Sequence, residues 1–249
     1  MQVTIPSSSA ALKTLLRSDF ITQWRNRRSI VLVLLVPVVI LISWKGLVEQ
    51  LGGAFVLSNC ITIGLNAIGL MGYSNAVARD RDKGIFQRLR VAPVPAWSIM
   101  VSRLLVQLAM IVLVTTVVFI VGAYADGIIL QPTGYIMGYM MAIIGGAVYL
   151  GLGQAIVGRI KNVETVNSTT RLVYFVFIMV GMFGDLGMLG EKAGKIVRWS
   201  PYGTVRHIVS TALQPGYWSN HTTIALLLTI GYAIVFSFLG IKWFRWNTK

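Results

Sequence analysis

Six long apolar runs dominate this chain, at about residues 29–45, 53–78, 102–124, 134–157, 172–190 and 222–241. A helix needs about 20 mostly apolar residues to cross the hydrocarbon of a bilayer, because each residue adds about 1.5 Å of rise. Barrel strands would be nearer ten residues and would alternate in polarity. Of the 249 residues, 55% are hydrophobic and only 12% charged; soluble domains carry about twice that share of charge. The expected class is therefore all-α: a polytopic membrane protein with six transmembrane helices. The first run is short before Lys45 unless its helix continues through Leu47 and Val48. Pro37 is expected to bend it, which a membrane helix tolerates.

Several charges precede the first run and no small-residue cleavage site follows it, so that run is expected to remain as an anchor. Cys60 lies in the second span without a partner cysteine in the chain, and is expected to be a packed membrane-helix residue.

The formal net charge of +14 invites a nucleic-acid reading, but its distribution points to a membrane. With six spans, Lys45, Lys192, Lys195, Arg198 and Arg206 fall on one side, and the rest of the 22 Lys and Arg on the other. Cationic short loops resist translocation, which places both termini in the cytoplasm. The basic excess then faces an anionic leaflet, where each cation gains about 1 kcal/mol, and no nucleic acid is needed to explain it. Trp24, Trp44, Trp97, Trp243 and Trp246 sit near span ends, as interfacial anchors do.

Residues 1–28 read as a cytoplasmic amphipathic interface helix ahead of the spanning region 29–249. Within 8–28, Leu12, Leu15, Leu16, Phe20 and Trp24 recur at helical spacing, while Lys13, Arg17 and Arg25 fall mostly elsewhere on the wheel. Ser7, Ser8 or Ser9, after Pro6, suits the helix start. Arg17, Phe20, Trp24 and Arg25 are the candidate contacts, with the membrane surface or with a cytoplasmic partner.

Between the second and third spans the chain reads Arg79-Asp80-Arg81-Asp82-Lys83-Gly84-Ile85-Phe86-Gln87-Arg88-Leu89-Arg90-Val91-Ala92-Pro93-Val94-Pro95-Ala96-Trp97. Gly84 permits a turn. Ile85, Phe86 and Leu89 then share a face of a short helix, which Pro93 and Pro95 stop. A solvated loop has little use for these apolar residues, so the segment is expected to be docked.

In the fourth span Gly134, Gly138, Ala142 and Gly146 recur every four residues, the spacing that lets helix backbones approach. That stripe suits packing within the bundle or contact between two copies. Asp185 is the only acid well inside an expected span, and so is a candidate for the translocation path, although Gly181, Gly184, Gly187 and Gly190 around it suit a broken helix. The outer stretch 191–221 contains Trp199-Ser200-Pro201-Tyr202, followed by Arg206 and His207, and reads as a short half-helix dipping into the outer leaflet. His207 there is expected to be a surface residue.

Other signals fail. Gly190 to Lys195 lacks the spacing of a phosphate loop and the Ser or Thr that must follow its Lys. Two histidines and one cysteine are too few and too scattered for a metal centre, and neither a magnesium-holding acidic motif nor a nucleophile–base pair is present. No catalytic, cofactor-binding or metal residues are expected in this chain.

The stretch Arg81–Trp97 resembles the signature of ABC-2 type transporter permeases, similar to the daunorubicin-resistance exporters. These carry a charged run, a Gly, a short Arg-Leu helix and a Pro before the third span. Trp199-Ser200-Pro201-Tyr202 with Arg206 resembles the family's aromatic-proline segment before the last span. The layout agrees along the whole length; Asp82 departs from the more usual Glu.

The resemblance implies a permease subunit in the cell membrane of a prokaryote, with no ATP site of its own. Two copies of a cytoplasmic ABC ATPase subunit, which bind the ATP and Mg, would sit beneath two permeases, either two copies or a copy with a paralogue. Gly84, Ile85, Phe86, Arg88, Leu89, Arg90 and Pro93 would form the coupling element on the ATPase. The implied activity is export of an amphipathic cargo such as an antibiotic, drug, lipid or lipid-linked glycan. The competing reading is an ion-coupled carrier or channel-like protein acting without an ATPase. Carriers tend to show internal repeats and polar midplane sites, and no repeat is evident here.

Overall fold

The computed structural model describes residues 8–91 and 96–244, which are mostly helical, with no strand among the described residues. Pro93 lies outside them, and for Leu89, Arg90 and Asp185 the backbone alone is described. Helix α1 (Ser8–Arg25) breaks at Asn26 and is followed by α2 (Arg27–Ser43). A turn of 3-10 helix and the short α3 (Val48–Leu51) continue the first apolar run at 55° to α2. The bend lies at Trp44, beyond Pro37, which α2 accommodates in its interior. Five helices are long and apolar enough to cross a membrane, and six when this bent pair counts as one span.

The second span is the axis of the bundle. It runs through α4 (Gly53–Asn66), a π-helical stretch at Ala67–Tyr73, and α5 (Ser74–Asp82). Nearly every side chain from Ala54 to Leu70 is buried, as expected of a helix apolar all round. Its polar residues are absorbed locally. Thr62 Oγ1 donates to the Ser58 carbonyl at 2.7 Å, and Asn59 Nδ2 to the Phe55 carbonyl at 3.1 Å. In the π stretch the Ser74 hydroxyl donates to the Gly69 carbonyl at 2.7 Å, and the Ser74 N–H reaches that same carbonyl. Gly153 faces this carbonyl so closely that a Cβ there would collide with it.

Helix α6 (Ile85–Val91) leads to α7 (Ala96–Asp126), α8 (Pro132–Arg159) and α9 (Val163–Asp185). Two shorter helices, α10 (Gly190–Trp199) and α11 (Pro201–Leu213), precede α12 (Asn220–Trp243). Expected and observed bounds of the third, fourth and sixth spans agree within a few residues. The fifth helix begins well before residue 172 and ends at Asp185, where the chain turns with Gly187 at φ +73°. Asp185 is thus the last residue of its helix. The fifth span, expected to run to residue 190, therefore ends earlier, at the break that the surrounding glycines suggested.

Small residues set the helix spacing. Along α8 and α12, Gly151 faces Ser237, and Gly158 faces Gly240 and Trp243. The glycine stripe of the fourth span packs inside the chain: Gly134 lies against the Leu213 carbonyl, Gly138 against Leu213 and Phe119, and Gly146 against Ile111. Contact between copies is therefore not its role.

Helices α10 and α11 form a hairpin. Ser200 caps α11 by accepting from the Gly203 N–H at 3.2 Å, with Pro201 in the first turn. Such a cap is worth about 1 kcal/mol. The Tyr202 hydroxyl donates to Asn59 Oδ1 at 3.0 Å in the core, and the Tyr232 hydroxyl to the Trp199 carbonyl at 2.8 Å. Tyr232 stands about three turns into α12, so the hairpin's tip reaches well down the bundle before α11 returns. The expected half-helix is present, and it is more deeply packed than the sequence suggested. His207 on it is half-buried, with Nε2 3.4 Å from Thr222 Oγ1, rather than at the surface.

Candidate functional site

At the end of the bundle where the second span finishes, α5 and α6 form a tight helix–turn–helix. The Gly84 N–H bonds the Arg81 carbonyl at 3.0 Å, and the Gly84 carbonyl accepts from the Arg88 N–H at 3.2 Å to start α6. Gly84 has φ +67°, a conformation in which side-chain-bearing residues are strained.

Phe86 is the anchor of α6. Its side chain is buried among Tyr73, Val77, Ala78, Val157 and Val166. The ring meets Phe244 edge-on at 5.5 Å between centroids, and the Arg103 guanidinium lies 4.7 Å above it. Arg103 also pairs with Asp80 at 2.6 Å. The second span, α7, α8, α9 and the segment after α12 thus converge with α6 on one aromatic ring.

Arg81 fastens the same region to α8. Its guanidinium donates to the carbonyls of Val157, Ile160 and Lys161 at 2.7, 2.6 and 2.9 Å. The last carbonyls of a helix lack intrahelical partners and carry the negative end of its dipole, so a cation satisfies both needs. On the other flank, the Ser102 hydroxyl donates to Asp19 Oδ2 at 2.5 Å, tying α1 to α7. The exposed side chains of this corner include Asp82, Lys83, Gln87 and Arg88.

A cavity of about 430 Å³ opens near this end between α2, the second span and α9. Asn26, Asn75, Arg79, Asn167 and Arg171 supply its polar lining, and Val33, Met71, Tyr174 and Phe175 are among its apolar residues. Asn75 Oδ1 and the Tyr174 hydroxyl are buried without a hydrogen-bonding partner, a state relieved by water or a bound polar group.

Residues 10–203 match the ABC-2 type transporter family. The chain belongs to that family. It is also 22% identical over 247 residues, 96% of each chain, to a protein of Bacillus subtilis (strain 168) named "Putative transport permease YvfS". In ABC-2 transporters such a chain is the membrane subunit and is not itself catalytic.

Among the residues of this ABC-2 permease singled out from sequence, Gly84, Ile85, Phe86 and Arg88 come together in the α5–α6 corner, though not as one face. Phe86 points into the bundle, whereas Arg88 is exposed. On α1, Phe20, Trp24, Arg17 and Arg25 are exposed, while Leu12, Leu15, Leu16 and Asp19 are partly covered. The apolar residues of α1 therefore divide between a protein-facing row and an outward cluster of Phe20, Ile21 and Trp24. Asp185 stands at the far end of α9, away from the corner. Sequence reasoning missed Asp80, Arg81, Arg103 and the Asp19–Ser102 bond. The one available signal was Asp19, a lone acid in an otherwise basic helix.

Proposed function

We propose that this chain is the membrane-spanning half of an ATP-driven exporter, and that α6 is its coupling element on a separate cytoplasmic ATPase. The supporting observation is mechanical: a short helix projects from the bundle while its anchor, Phe86, is locked against the second, third and fourth spans and the end of the sixth. Force applied at the exposed Arg88 has a stiff route into the spans. Two ATPase copies carrying ATP and Mg would act on two permeases, either identical or paralogous, in the cell membrane of a prokaryote. Both termini and α6 then face the cytoplasm, with Phe20, Ile21 and Trp24 of α1 at the headgroup level.

The cavity between α2, the second span and α9 supports an amphipathic cargo, since it joins arginine and asparagine side chains to aromatic and aliphatic ones. Antibiotics, drugs, lipids and lipid-linked glycans share that character.

The test uses purified permease and the ATPase that accompanies it from native membranes. Arg88→Glu is expected to abolish ATPase retention while leaving folding intact. Retention and ATP-dependent transport at the original level would refute the assignment. Gln87→Cys fixes orientation, because the native Cys60 is buried and silent: labelling of intact cells by an impermeant maleimide would place α6 outside and end the proposal.

A further inference from the structure

The cavity between α2, the second span and α9 is graded along its depth. On the second span Arg79 lies nearest α6, followed inward by Asn75, Met71 and Ala67. On α9, which begins at that same end, Asn167 and Arg171 come before Phe175. On the third wall Asn26, at the start of α2, precedes Val33. All three walls thus run from charged and amide side chains at the mouth to apolar ones inside. From Arg79 to Ala67 the wall is roughly 18 Å long, at about 1.5 Å per residue.

The mouth carries one sign of charge. Arg79 and Arg171 are both exposed, and no carboxylate is among the described residues that line the cavity. Asp80, next to Arg79 in the chain, is turned to Arg103. Arg171 Nη2 donates to Asn167 Oδ1 at 3.4 Å, one bond from a group that has five N–H donors. Planar guanidinium groups match the oxygens of phosphate and carboxylate and repel a cationic head. Deeper, Asn75 Oδ1 and the Tyr174 hydroxyl are buried without a hydrogen-bonding partner. The amide oxygen can only accept, so a hydroxyl on the guest would satisfy it. Ala67 and Met71 belong to the π-helical stretch, a distortion frequent at functional sites.

We infer that this cavity takes an anionic amphiphile, with its phosphate or carboxylate between Arg79 and Arg171 and its apolar body inward against Val33, Met71 and Phe175. As a statement about cargo this rests on the exporter reading, and it narrows that reading: an acid-bearing lipid or lipid-linked glycan fits, and a cationic drug does not. The guest lies with its head toward α6, as a lipid of the leaflet on that side does.

The test begins with the full-length permease alone, in neutral detergent. It is titrated with dioctanoyl phosphatidylglycerol, with a dioctanoyl lipid bearing a trimethylammonium head, and with inorganic phosphate, while thermal unfolding is followed. Phosphatidylglycerol is expected to raise the unfolding temperature at a lower concentration than the cationic lipid. Arg79→Gln and Arg171→Gln change exposed residues and should fold normally, yet each should need roughly tenfold more phosphatidylglycerol. Arg159→Gln removes an exposed cation at the same end but outside the cavity, and should match the parent. Equal responses of the parent and both cavity variants, or an equal loss in the Arg159 variant, would overturn the site. Stabilisation by inorganic phosphate as strong as by the lipid would overturn the amphiphile. Reconstituted with its ATPase, the parent is then offered fluorescent forms of both lipids. Export of the cationic lipid alone would overturn the anionic class and leave the exporter reading standing. Anion-selective binding that the cavity variants lose, with export of neither lipid, would uphold the ligand class and remove the exporter reading.

Discussion

Asp80 at the end of α5 and Arg103 in the first turns of α7 meet at 2.6 Å, across the ring of Phe86 that the same guanidinium covers. Their side chains keep only 24% and 11% of their exposure, so the pair is mostly withdrawn from water. Removing one member strands the other's charge; removing both does not. Arg103→Gln or Asp80→Asn alone should cost about 2 kcal/mol, between the values for exposed and buried pairs. The double variant should cost less than their sum. Equilibrium unfolding in mixed micelles gives the cycle, and strict additivity would show that the pair contributes nothing.

Phe86 and Arg88 should separate anchoring from docking. Phe86→Ala empties a buried site and is expected to cost about 3–5 kcal/mol, with easier proteolysis at the α5–α6 turn. Arg88→Glu should leave unfolding and proteolysis unchanged and lower only ATP-dependent transport. Matching stability profiles for the two variants would contradict the inward placement of Phe86.

Gly84→Ala isolates a purely conformational effect. A Cβ at this position would meet nothing nearer than Gln87 Oε1 at 3.6 Å, so no clash contributes. The left-handed backbone alone should cost about 1–2 kcal/mol, with Gly84→Asn milder. Unfolding measurements on both variants check the order.

Tyr202→Phe keeps the shape of the hairpin's buried tip and deletes one donor. Asn59 Oδ1, which receives that hydroxyl at 3.0 Å, would lose its partner in the core. A loss of about 1–3 kcal/mol is expected, and Asn59→Leu together with Tyr202→Phe should recover part of it. No recovery in the double variant would mean that this hydrogen bond does not fix the hairpin.

The spans were readable from the sequence because hydropathy reports length and polarity, and these decide whether a helix crosses lipid. Direction was not readable. The bend at Trp44 separates two segments that are apolar on both sides, so nothing in the run marks the turn. The end of the fifth span was placed too late because apolar residues continue past Asp185, although Gly187 and Gly190 were already visible as breaks. In the α5–α6 corner the residue types were evident, but a seven-residue helix carries too few turns to fix its phase, so the inward turn of Phe86 was not legible. Arg81 was unreadable in principle, since its partners are backbone carbonyls at the end of another helix.

The wide turn at Ala67–Tyr73 holds one more residue per loop of backbone than the helices on either side. Were it to tighten into ordinary α-helix, everything below it would screw round by about 100°, the angle a single residue subtends. Phe86 and Arg88 would be carried along that arc. The three bonds from Arg81 to the end of α8 oppose that rotation.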